Sequence, residues 1–459
     1  LRRTLVKRVL DTDCERLEAL GTARILASLN GDVGHVTSAF INLPAVLYGF
    51  ALCGGGLAYL AWLSVPLFLA IAGWLLLTIL VAAVLMTATH RRVDAARQIE
   101  DRLYQDYEDV VSGRKELSLN RARARRVYDG QFVPHAREGR GHEIAADVYN
   151  GLNENWANAM MLAAIGLCFY LSRGLGWVDT AVGATSALTI LFLRTPLTSI
   201  VMAVPSLIAG SVALRKIDSL ELPPHAAGFA KPRGGLPGDW DALRLSGVRY
   251  RYPGASGFGV GPLDVTLRRG ETVFVIGGNG SGKSTLAMLL TGLHRPHAGE
   301  LRLGEVAIEE STLAAYRQLF SSVMGDFHLF RHLLGPDGEA ADPGRVAHWL
   351  TRLQLSGKTS VENSELTDTR LSQGQRKRLA LLLAALEERP IIVLDEWAAD
   401  QDPVFRRFFY RELLPEFKAA GKTVFAITHD EHYFDVADRV LKMDGGALVA
   451  VAAAQGLAG

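Results

Sequence analysis

The chain has 459 residues, of which 49% are hydrophobic, and its formal net charge is +1. This length predicts two or three structural units, and the near-zero net charge argues against nucleic acid as a partner. Three cysteines, Cys14, Cys53 and Cys168, are too few and too scattered for a disulfide framework or a metal cluster. The apolar residues are unevenly distributed along the chain.

Residues 1–32 are rich in Lys and Arg and predict cytosolic helix with breaks at Gly21 and Gly31. Residues 33–89 then contain no Asp, Glu, Lys or Arg. Such a run is long enough to cross about 30 Å of hydrocarbon twice, and we place the turn at Ser64-Val65-Pro66. Two further spans are predicted at 156–172 and 180–202. The chain is therefore predicted to be a multi-pass membrane protein.

A second Lys/Arg-rich stretch follows the first two spans, from His90 to Arg140. By the positive-inside rule it lies on the cytosolic side, so four spans leave both ends of the chain in the cytosol. The stretch 90–154 predicts helix broken near Ser112-Gly113 and Asn120. Two helices of about 30 residues reach on the order of 45 Å from the membrane. They are either levers that touch a cytosolic domain or a solvated charged surface without a transmitting role.

Residues 221–240 are rich in Pro and Gly and predict a linker. Strand and helix patterns alternate from Asp241 onward, as in an α/β domain. We therefore predict a membrane domain at 1–220, the linker at 221–240 and an α/β domain at 241–459.

The segment 277–285, Gly-Gly-Asn-Gly-Ser-Gly-Lys-Ser-Thr, lies between an apolar, β-branched run and a helix-like run. In this context it predicts a phosphate-binding loop, in which backbone N–H groups and a helix N-terminus surround phosphate oxygens. Lys283 would reach the β- and γ-phosphates, and Ser284 would offer a hydroxyl to Mg²⁺. The predicted nucleotide-contacting residues are Gly277, Asn279, Gly280, Ser281, Gly282, Lys283, Ser284 and Thr285.

A second apolar run, 390–394, ends in Asp395 and Glu396. An acid at the end of a neighbouring strand is what a phosphate loop needs to hold Mg²⁺, and Asp395 would do so through water. Glu396 is then placed to polarise the attacking water as general base.

Between these motifs lies Leu371-Ser372-Gln373-Gly374-Gln375-Arg376. It resembles the LSGGQ signature of ABC-transporter ATPases, with Gln373 in place of the first glycine. The resemblance implies that Ser372, Gln373, Gly374 and Gln375 contact the γ-phosphate held by a second copy of the chain. The alternative is a helix that simply begins with a serine cap.

The resemblance implies three further site residues. Tyr252 would stack on adenine, unless it is an ordinary strand tyrosine. His429, after an apolar strand, would hydrogen-bond the γ-phosphate, and Asp402 matches the aspartate that follows the acid pair. One position departs from the family pattern, because Gly325 stands where a glutamine is expected and Asp326 takes part of its role.

Residues 326–330 (DFHLF), 395–403 (DEWAADQDP) and 153–156 (NENW) resemble those of bacterial cyclic-peptide exporters, the syringomycin, pyoverdine and microcin type. This implies a type I ABC exporter half-transporter of the inner membrane, which uses ATP and Mg²⁺ and works as a homodimer within membrane lipid. Its six-helix membrane domain would here lack the first two spans. Residues 11–24 and 110–120 would be cytosolic coupling segments. The alternatives are a lipid or multidrug flippase of the same architecture and an ATP-dependent membrane regulator without transport.

Arg194 interrupts the last predicted span. A charge at this depth is costly unless it is paired or faces water, so Arg194 is a candidate contact for an anionic group of a peptide substrate. The alternative is an ion pair that packs or gates the helices. Pro196 and Pro205 are expected to kink the same helix, and Gly54-Gly55-Gly56 is expected to permit close helix packing.

Overall fold

The computed structural model describes residues 1–226, 228–229, 235–252, 258–368 and 370–453, with the backbone alone at 101 and 450–453. Residues 227 and 230–234 of the predicted linker, and 454–459 of the predicted α/β domain, lie outside the described residues. The chain divides into two compact units. Residues 27–221 form the helical unit, and residues 1–26 together with the described residues from 222 onward form the sheet unit.

Three short helices come first: α1 (Arg2–Leu10), α2 (Cys14–Leu20) and α3 (Thr22–Ala27). The predicted break at Gly21 is confirmed, since Gly21 has a φ of 78° and separates α2 from α3. The predicted break at Gly31 is wrong. Gly31 lies in a π-helical turn, Ser28–Asp32, through which the chain continues into the next helix.

The helical unit is built from four long helices and two short ones. The long helices are α4 (Val33–Leu63), α5 (Val65–Ser112), α8 (Val133–Phe169) and α9 (Thr180–Asp218), and the short ones, between α5 and α8, are α6 (Arg114–Leu119) and α7 (Arg121–Val127). Single π-helical turns, Tyr128–Phe132 and Tyr170–Gly174, precede and follow α8. The turn at Ser64 and the breaks after Ser112 and at Asn120 are confirmed. Four helical stretches, Thr22–Leu63, Val65–Ser112, Arg121–Gly174 and Thr180–Asp218, are long and apolar enough to cross a membrane.

Within the helical unit α4 packs along α9 and α5 along α8. Small residues permit the approach of α4 and α9, because a Cβ at Gly210 would lie 2.4 Å from the Cβ of Ala39. Gly56 likewise faces Leu193, whereas a Cβ at Gly54 or Gly55 would meet no atom of the described residues within 4 Å. The glycine triplet therefore contributes to packing through Gly56. The α9 helix continues through both of its prolines.

The sheet unit contains twelve strands: β1 (Ala242–Arg251), β2 (Gly259–Arg268), β3 (Thr272–Ile276), β4 (Ala298–Leu303), β5 (Val306–Ala307), β6 (Phe320–Val323), β7 (Val361–Glu362), β8 (Glu365–Leu366), β9 (Ile391–Asp395), β10 (Thr423–Ile427), β11 (Arg439–Asp444) and β12 (Ala447–Ala453). Its further helices are α10 (Lys283–Leu290), α11 (Glu310–Arg317), α12 (Pro343–Arg352), α13 (Gln373–Leu386), α14 (Pro403–Phe408) and α15 (Leu414–Ala419). Shorter turns of 3₁₀ or π helix are Trp397–Asp400, Phe409–Leu413 and Glu431–Val436.

Two main sheets form the frame of this unit. One has four strands in the order β2-β1-β4-β5, with antiparallel pairing, and the other has six in the order β12-β11-β3-β10-β9-β6. Strands β11, β3, β10, β9 and β6 run parallel. Both faces of the six-stranded sheet are covered: Val273 and Val275 belong to one core and Phe274 to the other. Parallel strands buried on both faces read as continuous apolar runs, which explains the runs before the phosphate loop and before Asp395.

Candidate active site

The site lies at the edge of the six-stranded sheet where its parallel strands end. Strand β10 pairs in parallel with both β3 and β9, so the residues that follow these strands come together. Such an edge is where parallel α/β sheets bind ligands, because the loops after the strands converge there. The phosphate loop follows β3, the acid pair stands at the end of β9, and His429 lies shortly after β10. The fold therefore brings all three to one edge of the sheet.

Glycine is required at the start of the phosphate loop. Gly277 has a φ of 146°, and a Cβ at this position would lie 2.2 Å from the carbonyl oxygen of Met443. The loop ends at Gly282, whose φ of 99° leads directly into α10. The first backbone N–H groups of a helix have no acceptor within the helix and carry positive potential, so the loop and α10 together suit an anionic group.

Lys283 is buried at the base of this loop, where its ammonium group donates to the carbonyl oxygens of Gly277 and Gly278 at 2.9 and 3.0 Å. Ser281 is also buried, and its hydroxyl oxygen has no hydrogen-bond partner among the described residues. A buried polar atom without a partner is costly. Phosphate oxygens offer acceptors to both side chains, and the loop therefore fits a phosphate group.

Asp395 faces the loop from the end of β9 and is buried. Burial raises the pKa of its carboxyl group, while the hydroxyl of Ser284 and the backbone N–H of Gly325 donate to it and act in the opposite direction. A hydroxyl and a carboxylate side by side are the hard oxygen ligands that Mg²⁺ prefers. Ser284 and Asp395 therefore fit a magnesium ion.

Glu396 and His429 contact each other next to this pair. Nε2 of His429 lies 3.1 Å from Oε1 of Glu396, and both side chains are about half exposed. Glu396 has a left-handed backbone with a φ of 49°, held because its N–H donates to the carbonyl of Ile427 and its carbonyl accepts from Lys377. The side chain of Glu396 is thus held at the mouth of the phosphate loop.

A cavity of about 400 Å³ opens over the loop. Tyr252 forms part of its wall, and the Tyr252 hydroxyl lies 3.0 Å from Oγ1 of Thr285. The cavity is lined by Tyr252, Phe258, Asn279, Gly280, Ser281, Gly282, Lys283, Ser284, Thr285 and Glu396. The tyrosine ring and the phosphate-binding residues therefore share one space.

The signature segment lies at the N-terminus of α13. Ser372 and Gln375 form a reciprocal capping box, in which each side chain accepts from the backbone N–H of the other residue. Ser372 and Gln373 are exposed, and Gly374 packs so closely that a Cβ would lie 2.6 Å from the carbonyl oxygen of Asp400. The four signature residues do not line the cavity over the phosphate loop of their own chain.

Sequence reasoning missed a network that ties α13 to the loop after the acid pair. Arg378 donates to Gln401 at 2.8 Å and to Asp402 at 2.7 Å, and its guanidinium lies 3.5 Å from the ring centroid of Phe405. Burial lowers the pKa of Arg378. Asp402 also caps α14 by accepting from the Phe405 N–H, which lowers the pKa of the Asp402 carboxyl.

The signal for this network was present in the sequence. Lys377 and Arg378 directly follow the signature, within a helix whose next residues are apolar. Gln401 in turn donates to the carbonyl of Gly374 at 3.1 Å. The signature and the Asp402 loop are therefore one connected structure.

The sequence model of the ABC transporter family matches residues 260–399, which contain the phosphate loop, the signature and the acid pair. The whole chain is similar to the ATP-binding protein SyrD of Pseudomonas syringae pv. syringae, with 34% identity over 98% of this chain and 82% of that protein. The chain belongs to the ABC exporters, as a half-transporter. ATP-driven transport is therefore its activity, and the interpretation as a regulator without transport is not supported.

Other relatives of this exporter include the ATP-dependent lipid A-core flippase of Burkholderia pseudomallei, 28% identical over 98% of this chain and 77% of that protein. The solved structure of a bacterial Atm1-family ABC exporter with ATP bound superposes with a TM-score of 0.77 at 16% identity, covering 99% of this chain and 82% of that one. The predicted type I exporter fold is confirmed. The exporter is a multi-pass inner-membrane protein that binds ATP in a cytoplasmic domain.

The Arg378 network generates a stability prediction. We expect Arg378→Lys to lower the free energy of unfolding of the sheet unit by about 2 kcal/mol, because one ammonium group cannot donate to both Gln401 and Asp402. Denaturant unfolding of the full chain, followed through the fluorescence of buried Trp397, measures this. The control is Arg376→Lys, an exposed position on the same helix. Equal midpoints for the two variants would contradict the role of the network.

Proposed function

We propose that this exporter works as a homodimer that moves a cyclic or non-ribosomal peptide out of the cytoplasm, with two ATP sites shared between the copies. The observation that supports sharing is the position of the signature residues. Ser372 and Gln373 are exposed at the start of α13, and none of the four signature residues lines the cavity over their own phosphate loop. A second copy that presents its signature to this cavity supplies the missing contacts to the γ-phosphate.

Each residue of the site then has a role that its position supports. Tyr252 stacks on adenine, the backbone of 277–285 and the ammonium of Lys283 hold the phosphates, and His429 donates to the γ-phosphate. Glu396 accepts a proton from the attacking water as general base. The contact with His429 orients Glu396 until the nucleotide engages His429. Asp402 keeps the loop after the acid pair in place through its bonds to Arg378 and α14.

Ser284 and Asp395 would hold Mg²⁺, Asp395 through water. The ion would neutralise negative charge on the phosphates. Burial raises the pKa of the Asp395 carboxyl group, and a cation beside it would act in the opposite direction. Chelation of divalent ions is accordingly expected to remove hydrolysis and leave the fold unchanged.

The Glu396→Gln variant tests the general base. We expect it to bind ATP as the unchanged protein does but to lose at least about a hundredfold in the rate of hydrolysis, since an amide cannot accept the proton. Phosphate release and binding of a fluorescent ATP analogue are measured on the same purified dimer. Glu431→Gln, an exposed acid shortly after His429, is the matched control. Hydrolysis at an unchanged rate in Glu396→Gln would remove Glu396 from this role.

The proposed substrate class rests on the resemblance of 326–330 and 395–403 to cyclic-peptide exporters. The 34% identity to SyrD over nearly the whole chain supports it, compared with 28% to the flippase over the same share. The second candidate function is transport of a lipid or drug by the same architecture. It is favoured by the flippase relatives, whose similarity covers up to 98% of this chain.

Arg194 is the proposed contact for an anionic group of the substrate. It lies on the span α9 with an exposed side chain, and its guanidinium donates to a neutral acceptor, Oδ1 of Asn158, at 2.8 Å. A cation held by a neutral amide keeps its net charge. Because charge within hydrocarbon is costly, a carboxylate or phosphate brought by the substrate stabilises this position.

We expect Arg194→Gln to lower the stimulation of ATP hydrolysis by an anionic peptide about tenfold, with basal hydrolysis unchanged. Arg194→Lys restores part of the stimulation, and Arg215→Gln, near the end of the same helix, leaves it unchanged. The screen uses peptides secreted by the cell, and lipid A in parallel. Stimulation by lipid A but not by peptides would favour the flippase function, and full stimulation of Arg194→Gln would contradict the contact.

A further inference from the structure

Helix α2 docks onto the sheet unit through its acidic side chains. Asp13, which precedes the helix, accepts from Arg295 at 2.8 Å and from Arg317 at 3.3 Å. Glu15 accepts from the hydroxyl of Tyr250 at 3.0 Å. Since these partners lie in β1, in α11 and in the segment after α10, the docking involves several elements of the sheet unit.

A stack of aromatic rings continues from this docking surface to the cavity. The ring of Tyr250 stacks on the rings of His294 and His297, and its centroid lies 4.8 Å from that of His294 and 5.2 Å from that of His297. The rings of Tyr250 and Tyr252 are nearly perpendicular, with their centroids 5.1 Å apart. His294 is only 1% exposed, and its Nε2 lies 3.0 Å from a carboxylate oxygen of Glu18 in α2. Tyr252 lines the cavity. One ring therefore separates the wall of the ATP cavity from each carboxylate of α2.

Position 325, next to Asp395, offers no side chain for a second route from the phosphates. Gly325 contributes only its backbone N–H to Asp395, and a Cβ there would lie 3.7 Å from the Asp395 carboxylate, in ordinary contact. Space for a side chain is present, and the chain places none in it. A connection from the phosphates to α2 through a side chain at 325 is thus ruled out by the residue itself.

We propose that Tyr250 and His294 are positioning residues that couple ATP binding at Tyr252 to the docking of α2. The inference rests on the proposed adenine contact of Tyr252. A base stacked on Tyr252 restricts the ring against which Tyr250 and His294 pack, and so favours the arrangement in which Tyr250 reaches Glu15 and His294 reaches Glu18. Release of the nucleotide loosens the same contacts, and α2 undocks more readily.

Cys14, at the start of α2, reports the docked state. Burial, followed by the charge of Glu18, raises the pKa of its thiol to about 11. The other two cysteines are buried within the spans α4 and α8. Undocking exposes Cys14 and removes the effect of burial, whereas Glu18 stays beside the thiol because both lie on α2. Alkylation by a maleimide at neutral pH then becomes faster, because the thiol is more accessible and the thiolate is the reacting form.

The experiment measures the rate of Cys14 alkylation by mass spectrometry in the Glu396→Gln dimer, with and without ATP. We expect ATP to slow alkylation by about fivefold or more. Tyr250→Phe, which keeps the ring but loses the hydroxyl, and His294→Gln should each bring the ratio close to one. The matched control is His297→Gln, which removes a ring of the same stack whose Nδ1 accepts from the backbone of Arg251. This control should keep the full ratio.

Linkage gives a second readout that a merely structural role would not produce. The factor by which ATP favours docking must equal the factor by which docking favours ATP. Tyr250→Phe and His294→Gln should therefore raise the dissociation constant for ATP by up to that factor and leave kcat of basal hydrolysis unchanged. If ATP binds but does not change the rate of Cys14 alkylation, the coupling is overturned and the proposed function of the site is not. Absence of ATP binding by the Glu396→Gln dimer would overturn the proposed function of the site.

Discussion

The parallel pairing of β3, β10 and β9 is the constraint on which the site depends. Because these three strands end at one edge, the phosphate loop, Asp395 and His429 come within reach of one bound nucleotide although they are far apart in sequence. The edge also imposes the local strain of the site. Gly277 must approach the backbone of Met443, and Glu396 must adopt a left-handed conformation to leave β9 beside the end of β10. Such strain persists because the buried core on both faces of the sheet fixes the strands.

The sequence predicted the elements with clear local signals. The membrane spans could be predicted because a helix that crosses a membrane needs a long run of residues without charge. The strands before the phosphate loop and before the acid pair could be predicted because parallel strands buried on both faces are continuous apolar runs. The breaks at Ser64, Ser112 and Asn120 follow from turn and capping chemistry. The expected break at Gly31 failed because a π-helical turn accommodates the glycine without ending the helix. Family resemblance, rather than periodicity, supplied the roles of Tyr252, His429 and the signature.

What the sequence could not predict are contacts between residues distant along the chain. Lys377 and Arg378 are charged, yet both are buried and hold the loop after the acid pair. Residues 11–24 were expected to be a coupling segment, and the sequence could not name the residues that this segment contacts. These partners lie more than two hundred residues away along the chain and are Tyr250, His294, Arg295 and Arg317. The periodicity of the sequence predicts which face of α2 is polar, but it does not predict which residues that face contacts.

We propose that each ATP site is formed by the phosphate loop of one copy of the chain and the signature of the other copy. Two tagged chains, one carrying Lys283→Ala and the other Ser372→Arg, are expressed together and the mixed dimer is purified through both tags. If the sites are shared, one site of this dimer is intact and the other carries both changes. The account predicts ATP hydrolysis at least about tenfold above that of either variant homodimer. Hydrolysis no faster than that of the homodimers would contradict a shared site, because each chain would then hold its own defect.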